Sequence, residues 1–331
     1  MPNYKCLTQQ EFSNGEYKLV PIRFEDRYEI MKWRNEQIYH LRQKEPLTIE
    51  QQDAYFENVV SKLFDQVQPN QILFSFLKNE ELIGYGGLVH INWVDRNAEI
   101  SLVMNTKLEE NGFINIWVKY LMIVKLISFK ILDLHKIYTY AFDLRPMLYE
   151  ALRISLFKEE ARLKNHINVN QTYKDVLIHS LVNPIHTLSY RHAVASDMQL
   201  LLEWANDFDV RANAFNCEKI SSESHELWFK NKLQKSECRI LIFQNIQNLA
   251  LGQVRIELKN NFWFIDYSVD KSLRGLGIGR LMIKQLVEDH KEYNFKGLVK
   301  NLNTASKKVF ESLNFNKLEI ENDVIEYSLN T

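Results

Sequence analysis

The chain has 331 residues, 46% of them hydrophobic, which is material for two cores rather than one small domain. Its 41 Lys and Arg balance 42 Asp and Glu, so no basic surface points to nucleic acid or to an anionic membrane. Cys6, Cys217 and Cys238 share no metal-ligand spacing and the nine histidines are scattered, so no metal is expected, and the odd thiol count suits a reducing compartment. The stretch Met1 to Gln10 lacks a signal-peptide core, and the most apolar segment, Tyr120 to Leu134, is short for a bilayer and carries Lys125 and Lys130. It reads as a buried helix in a cytoplasmic protein.

In chain order, a short strand at Leu19 to Arg23 precedes a helix that ends Trp33-Arg-Asn35-Glu36. Thr48 has the look of a helix N-cap, with the aromatic pair Tyr55-Phe56 seven residues later. Three consecutive strands follow at Ile72 to Leu77, Leu82 to Val89 and Ala98 to Met104. Next come a loop, Asn105-Thr-Lys-Leu-Glu-Glu-Asn-Gly112-Phe, the apolar helix, a strand at Lys136 to Tyr140 and a second helix within Arg145 to Phe157. Gln171 to Leu181 reads as helical, and Asn183-Pro184-Ile-His-Thr187 marks a boundary because Pro184 disfavours continuing a helix.

The same order then repeats. After Leu188 to Arg191 come Trp204-Ala-Asn206-Asp207 and an N-cap at Ser221, followed by Trp228-Phe229. Strands at Arg239 to Phe243, Leu251 to Ile256 and Phe264 to Val269 match the earlier three. The copies part at the next step, where the second has Arg274-Gly-x-Gly-x-Gly279 running directly into an apolar helical pattern. Gly275, Gly277 and Gly279 lack a Cβ, so successive backbone N–H groups can approach a ligand at the positive end of a helix dipole. That is a phosphate cradle. Its spacing fits neither a nucleotide P-loop nor a dinucleotide fingerprint.

The loop resembles the pyrophosphate loop of the GNAT (Gcn5-related N-acetyltransferase) superfamily, and the element order resembles that family's in both copies. The resemblance implies an α/β (α+β) chain of two tandem GNAT folds, each a mixed, mostly antiparallel sheet flanked by helices. It implies a degenerate domain over residues 1–183 and an acetyl-CoA-binding domain over 187–331. The stretch Asn303-Thr-Ala-Ser306 to Phe310 and Asn314-Phe315 resembles the family's second cofactor signature, with Asn314 in place of its Gly. Carried over by position, the cofactor residues are Ser268, Val269, Arg274, Gly275, Leu276, Gly277, Ile278, Gly279, Arg280, Asn303, Ser306 and Phe310. The first copy offers Glu109, Glu110 and a single glycine in the loop, and Glu side chains would repel a pyrophosphate.

For the chemistry, a base is sought among Asp266, Glu257 and His225, since a half-buried carboxylate with a raised pKa or an imidazole suits the task. The family's proton-donating Tyr is replaced by Phe310. No Cys or Ser stands in a nucleophile setting, so direct transfer in a ternary complex is expected. Over residues 188 to 318 the chain resembles N-acetyltransferases of bacterial surface-sugar pathways, especially those acting on UDP-linked 4-amino sugars in pseudaminic acid biosynthesis. The resemblance implies substrate contacts from Trp204, Asn206, Arg211, Asn216 and Trp228, with Arg211 on a phosphate. Trp204 and Trp228, at helical positions, fit a core role as well. The first copy, through Trp33-Arg-Asn35, Arg42 and Tyr55, more loosely resembles acetyltransferases of sugars or ribosomal protein N-termini. The expected function is acetyl transfer from acetyl-CoA to a nucleotide-linked aminosugar. A protein N-terminus or another small amine is the alternative acceptor, a CoA-binding scaffold or sensor the non-enzyme alternative, and a homodimer is left open.

Overall fold

The computed structural model describes residues 3–320 and 323–330 and divides the chain into two compact units, Met1–Asn183 and Pro184–Thr331. Met1 and Pro2 of the N-terminal stretch lie outside the described residues.

In the first unit a hairpin of β1 (Phe12–Asn14) and β2 (Tyr17–Pro21) leads to α1 (Arg27–Glu36), α2 (Ile49–Tyr55) and α3 (Ser61–Leu63). A meander follows, β3 (Ile72–Lys78), β4 (Glu81–Asn92) and β5 (Asn97–Met104), then α4 (Phe113–Lys125), β6 (Lys136–Phe142), α5 (Pro146–Ile154) and a closing hairpin of β7 (Lys158–Val169) and β8 (Thr172–Val182). The sheet order is β1-β2-β3-β4-β5-β6-β8-β7. Its parallel pair is β5 with β6, in register only from Asn97↔Lys136 to Glu99↔Tyr138. Helix α4 fills one face with Tyr120, Leu121 and Val124, all buried. Lys125 is buried too and donates to the Ser155 carbonyl at 3.1 Å, so the lysine in the apolar run is held by a backbone acceptor. Among the described residues no helix is long and apolar enough to cross a membrane.

The second unit comprises β9 (Ser189–His192), α6 (Met198–Ala205), α7 (Phe208–Asn213), α8 (Ser222–Leu233), β10 (Cys238–Gln244), β11 (Ala250–Lys259) and β12 (Phe262–Val269). It continues with α9 (Ile278–Asp289), β13 (Phe295–Lys300), α10 (Thr304–Glu311), β14 (Asn316–Ile320) and β15 (Val324–Leu329). The order is β14-β15-β13-β12-β11-β10-β9, with β12 and β13 parallel. Met282, Ile283 and Leu286 of α9 are buried, as are Leu251, Val254 and Ile256 of β11.

Both units are mixed sheets flanked by helices, and they repeat in detail. Arg23 forks onto Asp26 at 2.7 and 2.8 Å, and Arg191 onto Asp197 at 2.6 and 2.7 Å. Asn35 clamps the backbone of Leu47, accepting at 2.7 Å and donating at 2.9 Å, and Asn206 clamps Ile220 at 2.8 and 2.9 Å. Thr48 and Ser221 cap α2 and α8 through the N–H groups of Gln51 and Ser224. One expectation is corrected, because Gln171 to Leu181 is strand β8 and not helix. Asn170 and Gln171, at φ 48° and 63°, form the turn between β7 and β8. Leu177, Leu181 and Val182 are buried, and a run apolar on both faces carries no clear period.

Candidate active site

In the second unit β12 is fully paired on one side and half-paired on the other. Its register with β11 runs to Gly252↔Val269, whereas that with β13 stops at Ile265↔Gly297. Beyond Ile265 the parallel strands part. The Asp270 N–H bonds the Leu251 carbonyl at 2.8 Å. By the alternation of an antiparallel ladder, Tyr267 and Val269 therefore turn their N–H and C=O groups into the gap.

The loop that closes this gap starts at Asp270, whose carboxylate accepts from the Ser272 N–H at 2.9 Å and from the Trp204 indole N–H at 3.1 Å. Gly275 and Gly277 have φ of 87° and 85°, and a Cβ at either would meet no atom within 4 Å. Their backbone conformation calls for glycine, and the space beside them is open for a ligand. Gly277 is also the N-cap of α9, so the positive end of that helix opens at the same loop. Gly279 acts differently, since a Cβ there would stand 3.0 Å from the Tyr267 ring. Leu276 and Ile278 are buried and anchor the loop. An open glycine cradle at a helix N-terminus, beside an unpaired strand, fits a pyrophosphate with a slender chain attached.

Other expected cofactor residues are placed as follows. Arg274 spends its guanidinium on Asp207 and Asp209, at 2.5 and 2.6 Å. Arg280 donates to the Ser312 hydroxyl at 3.2 Å. The Asn303 side chain caps α10 by accepting from the Ser306 N–H at 3.0 Å. Val269 turns its backbone into the gap, whereas Ser268 is a correction, its backbone facing Gln253 of β11; the Ser306 hydroxyl accepts from the Tyr267 hydroxyl at 3.2 Å, joining β12 to α10. Phe310 is a correction. Its ring is 2% exposed, lies under Gly297 and stacks on Tyr327 at 5.2 Å, so it belongs to the core.

The expected bases are corrected in two of three cases. His225 is buried between Trp228 and Phe229, with Nε2 3.1 Å from the Met198 carbonyl, and burial lowers its pKa. Burial pushes the Glu257 carboxyl up, but Lys232 at 2.7 Å and Arg255 at 3.1 Å outweigh it, so the group is held below its usual value rather than raised. Asp266 is exposed, with Arg255 3.6 Å away and Gln253 donating to it at 3.2 Å.

Of the expected acceptor contacts, three serve the fold. Trp204 is buried in a cluster with Leu201, Phe229 and Ile242. Asn206 is used up on Ile220. Arg211 donates through Nε to the Ala205 carbonyl and through Nη1 to those of Asn216 and Glu218, stapling the loop after α7, so most of its guanidinium serves the fold. The Asn216 side chain accepts from the Glu218 N–H in the same loop. Trp228 stays half-buried, with the Arg255 guanidinium 5.2 Å from its ring. The residues that sequence reasoning missed are Asp270 and Tyr267. Asp270-Lys-Ser272 is an Asx-turn pattern legible from sequence, whereas nothing local marks Tyr267.

The first unit carries the counterpart loop with different chemistry. Asn105 caps its first turn and Gly112, at φ 103°, caps α4 as Gly277 caps α9, which sets Glu109 where the second unit has Arg274. The Glu109 carboxylate is 3.7 Å from the Arg145 guanidinium, which also donates to His40 Nε2 at 3.2 Å. Burial first, and the Arg145 charge second, push the His40 pKa down to about 3. A folded pKa below the unfolded value of about 6.5 means that the unfolded chain binds the extra proton. Stability is therefore complete above pH 6.5 and falls as the pH drops from there toward 3. Through His40, acidifying from pH 7 to 5 is expected to cost the first unit roughly 2 kcal/mol, and His40→Gln should reduce that slope in urea titrations, leaving the part carried by His179, which burial also holds below its usual value.

Residues 19–178 match the acetyltransferase (GNAT) domain, and residues 198–315 match the acetyltransferase (GNAT) family. No curated relative matches by sequence. Among solved structures, a spermidine N-acetyltransferase from Vibrio cholerae in complex with CoA and spermine is 21% identical, covering 51% of this chain and 97% of its own, with a TM-score of 0.46. A domain from Methanocaldococcus jannaschii is 21% identical over 44% of this chain and 98% of its own, with a TM-score of 0.40.

Proposed function

Because both halves of the chain belong to the GNAT acetyltransferases, making it an acetyl-CoA-dependent N-acetyltransferase, we propose that the second unit alone performs the transfer, directly to an amine in a ternary complex. The observation that carries this reading is the combination of two open left-handed glycines with an unpaired edge of β12. The first unit has Glu109 and Glu110 at the corresponding loop, the former facing Arg145. Acetyl-CoA supplies the acetyl group as a thioester. The chain supplies loop N–H groups for its pyrophosphate and the Tyr267 and Val269 backbone for its pantetheine and carbonyl.

Asp266 is the more exposed of the two carboxylates and makes only a 3.6 Å pair with Arg255, whereas Glu257 holds Lys232 at 2.7 Å and His225 is walled in, so Asp266 is the base we assign to the amine proton. Tyr267 fills the place of the missing proton donor. Burial pushes its hydroxyl up to about 12, so it stays protonated throughout the working range. Tyr267→Phe should lower kcat about tenfold or more while leaving KM for acetyl-CoA nearly unchanged, and a matching rise in KM would assign Tyr267 to binding instead.

The acceptor we favour is the amino group of a nucleotide-linked aminosugar, on the sequence resemblance of residues 188 to 318, with Trp228 and Asp266 facing it and Arg211 chiefly holding the loop after α7. The three free cysteines suit a cytoplasmic enzyme. Acetyl-CoA-dependent thiol release, screened over UDP-, CMP- and dTDP-linked aminosugars beside spermidine and peptide N-termini, tests the acceptor. Turnover of a polyamine or peptide alone would refute the aminosugar.

A further inference from the structure

We propose that the first unit binds a small-molecule oxyanion, a carboxylate or a phosphate, at Arg34. Arg34 lies on α1, half-buried, with Nε donating to the Gln43 side chain at 3.0 Å and Nη1 to the Tyr85 hydroxyl at 2.6 Å. Both partners are neutral. A guanidinium withdrawn from water without a counter-charge loses hydration that neutral hydrogen bonds only partly replace.

The acids of the surrounding face do not supply that counter-charge. Asp26 is engaged by Arg23 and Ser75, Asp53 by Arg27, and Glu99 by Arg42 and His90. Among the described residues no carboxylate pairs with Arg34, and the groups that act on its charge are Tyr85 and Tyr55. Tyr85 is buried on β4, and Tyr55, half-buried on α2, holds Gln71 at 3.4 Å. Among the described residues Nη2 makes no hydrogen bond, which leaves it and the second Nη1 hydrogen to donate beside two phenols and a fixed Gln43, itself anchored by Asn35 at 2.9 Å. Two parallel N–H donors in one plane match the two oxygens of a carboxylate or phosphate. Arg34 follows Trp33 in the Trp-x-Asn motif, and the second unit has Ala205 at that place. The scaffold clamp at Asn35 and Asn206 therefore needs no arginine, and the charge is a property of the first unit.

The test is thermal unfolding of the full chain titrated with sodium phosphate and with sodium succinate, against sodium chloride at equal ionic strength. One oxyanion should raise the first unit's unfolding temperature saturably by about 2 to 5 °C, with the chloride series flat. Arg34→Gln should abolish the rise while leaving ligand-free stability unchanged or higher, and Arg34→Lys should weaken it at least tenfold. Which of the two anions acts separates a carboxylate from a phosphate ligand. No saturable rise with either, or a full rise in Arg34→Gln, would overturn the proposal. The acetyl-CoA response of the same variant, unchanged in either event, keeps this result separate from the function of the second unit.

Discussion

Gly277→Glu is expected to weaken acetyl-CoA binding at least 100-fold and to abolish acetyl transfer. Two effects add. Gly277 sits at φ 85°, a region costing a non-glycine residue about 1–2 kcal/mol. The new carboxylate would also stand at the N-terminus of α9, in the open space where N–H groups await a negative ligand. Gly277→Ala separates them, since it carries the strain without the charge, and it should lose only about tenfold. Isothermal titration with acetyl-CoA measures both variants, and the unfolding temperature shows whether the loop alone is affected. Equal losses in the two variants would mean that backbone strain, not charge, governs the site.

Trp204→Ala is expected to cost the second unit about 3–5 kcal/mol, the range for emptying a buried aromatic site. The indole is buried against Leu201, Phe229 and Ile242, and its N–H is held by Asp270, the residue that caps the first turn of the glycine loop. The substitution therefore leaves a cavity and frees the cap together. Trp204→Phe retains most of the packing but loses the hydrogen bond, and should cost markedly less stability while still loosening the loop. Denaturant midpoints report the first effect and acetyl-CoA affinity the second. A Trp204→Ala protein of near-native stability with impaired acceptor binding would restore the stacking role that its motif first suggested.

What was legible from sequence is what local rules dictate. The N-caps at Thr48 and Ser221, the three-strand meanders and the strand, glycine loop and helix from Phe264 onward each depend on residues close in the chain, and each stands in the structure. The repeat was legible for the same reason. Residues whose roles depend on distant partners were not. Trp204, Asn206 and Arg211 look like ligand contacts because they are large, polar and clustered, yet Asp270 and Ile220 hold the first two and three carbonyls engage Nε and Nη1 of the third. A place on a half-buried strand points to a raised pKa for Glu257, and the approach of Lys232 from α8, with Arg255 beside it, reverses the direction. Strand β8 was missed because burial on both faces erases its period, and because it pairs with β6 from across the chain.

If the chain holds one working acetyl-CoA cradle, in its second unit, the stoichiometry of acetyl-CoA binding to the full chain decides it, measured by isothermal titration for the native protein and for Gly277→Glu. One site per chain, lost in Gly277→Glu, is the predicted result. Two sites, or one that survives the substitution, would contradict it.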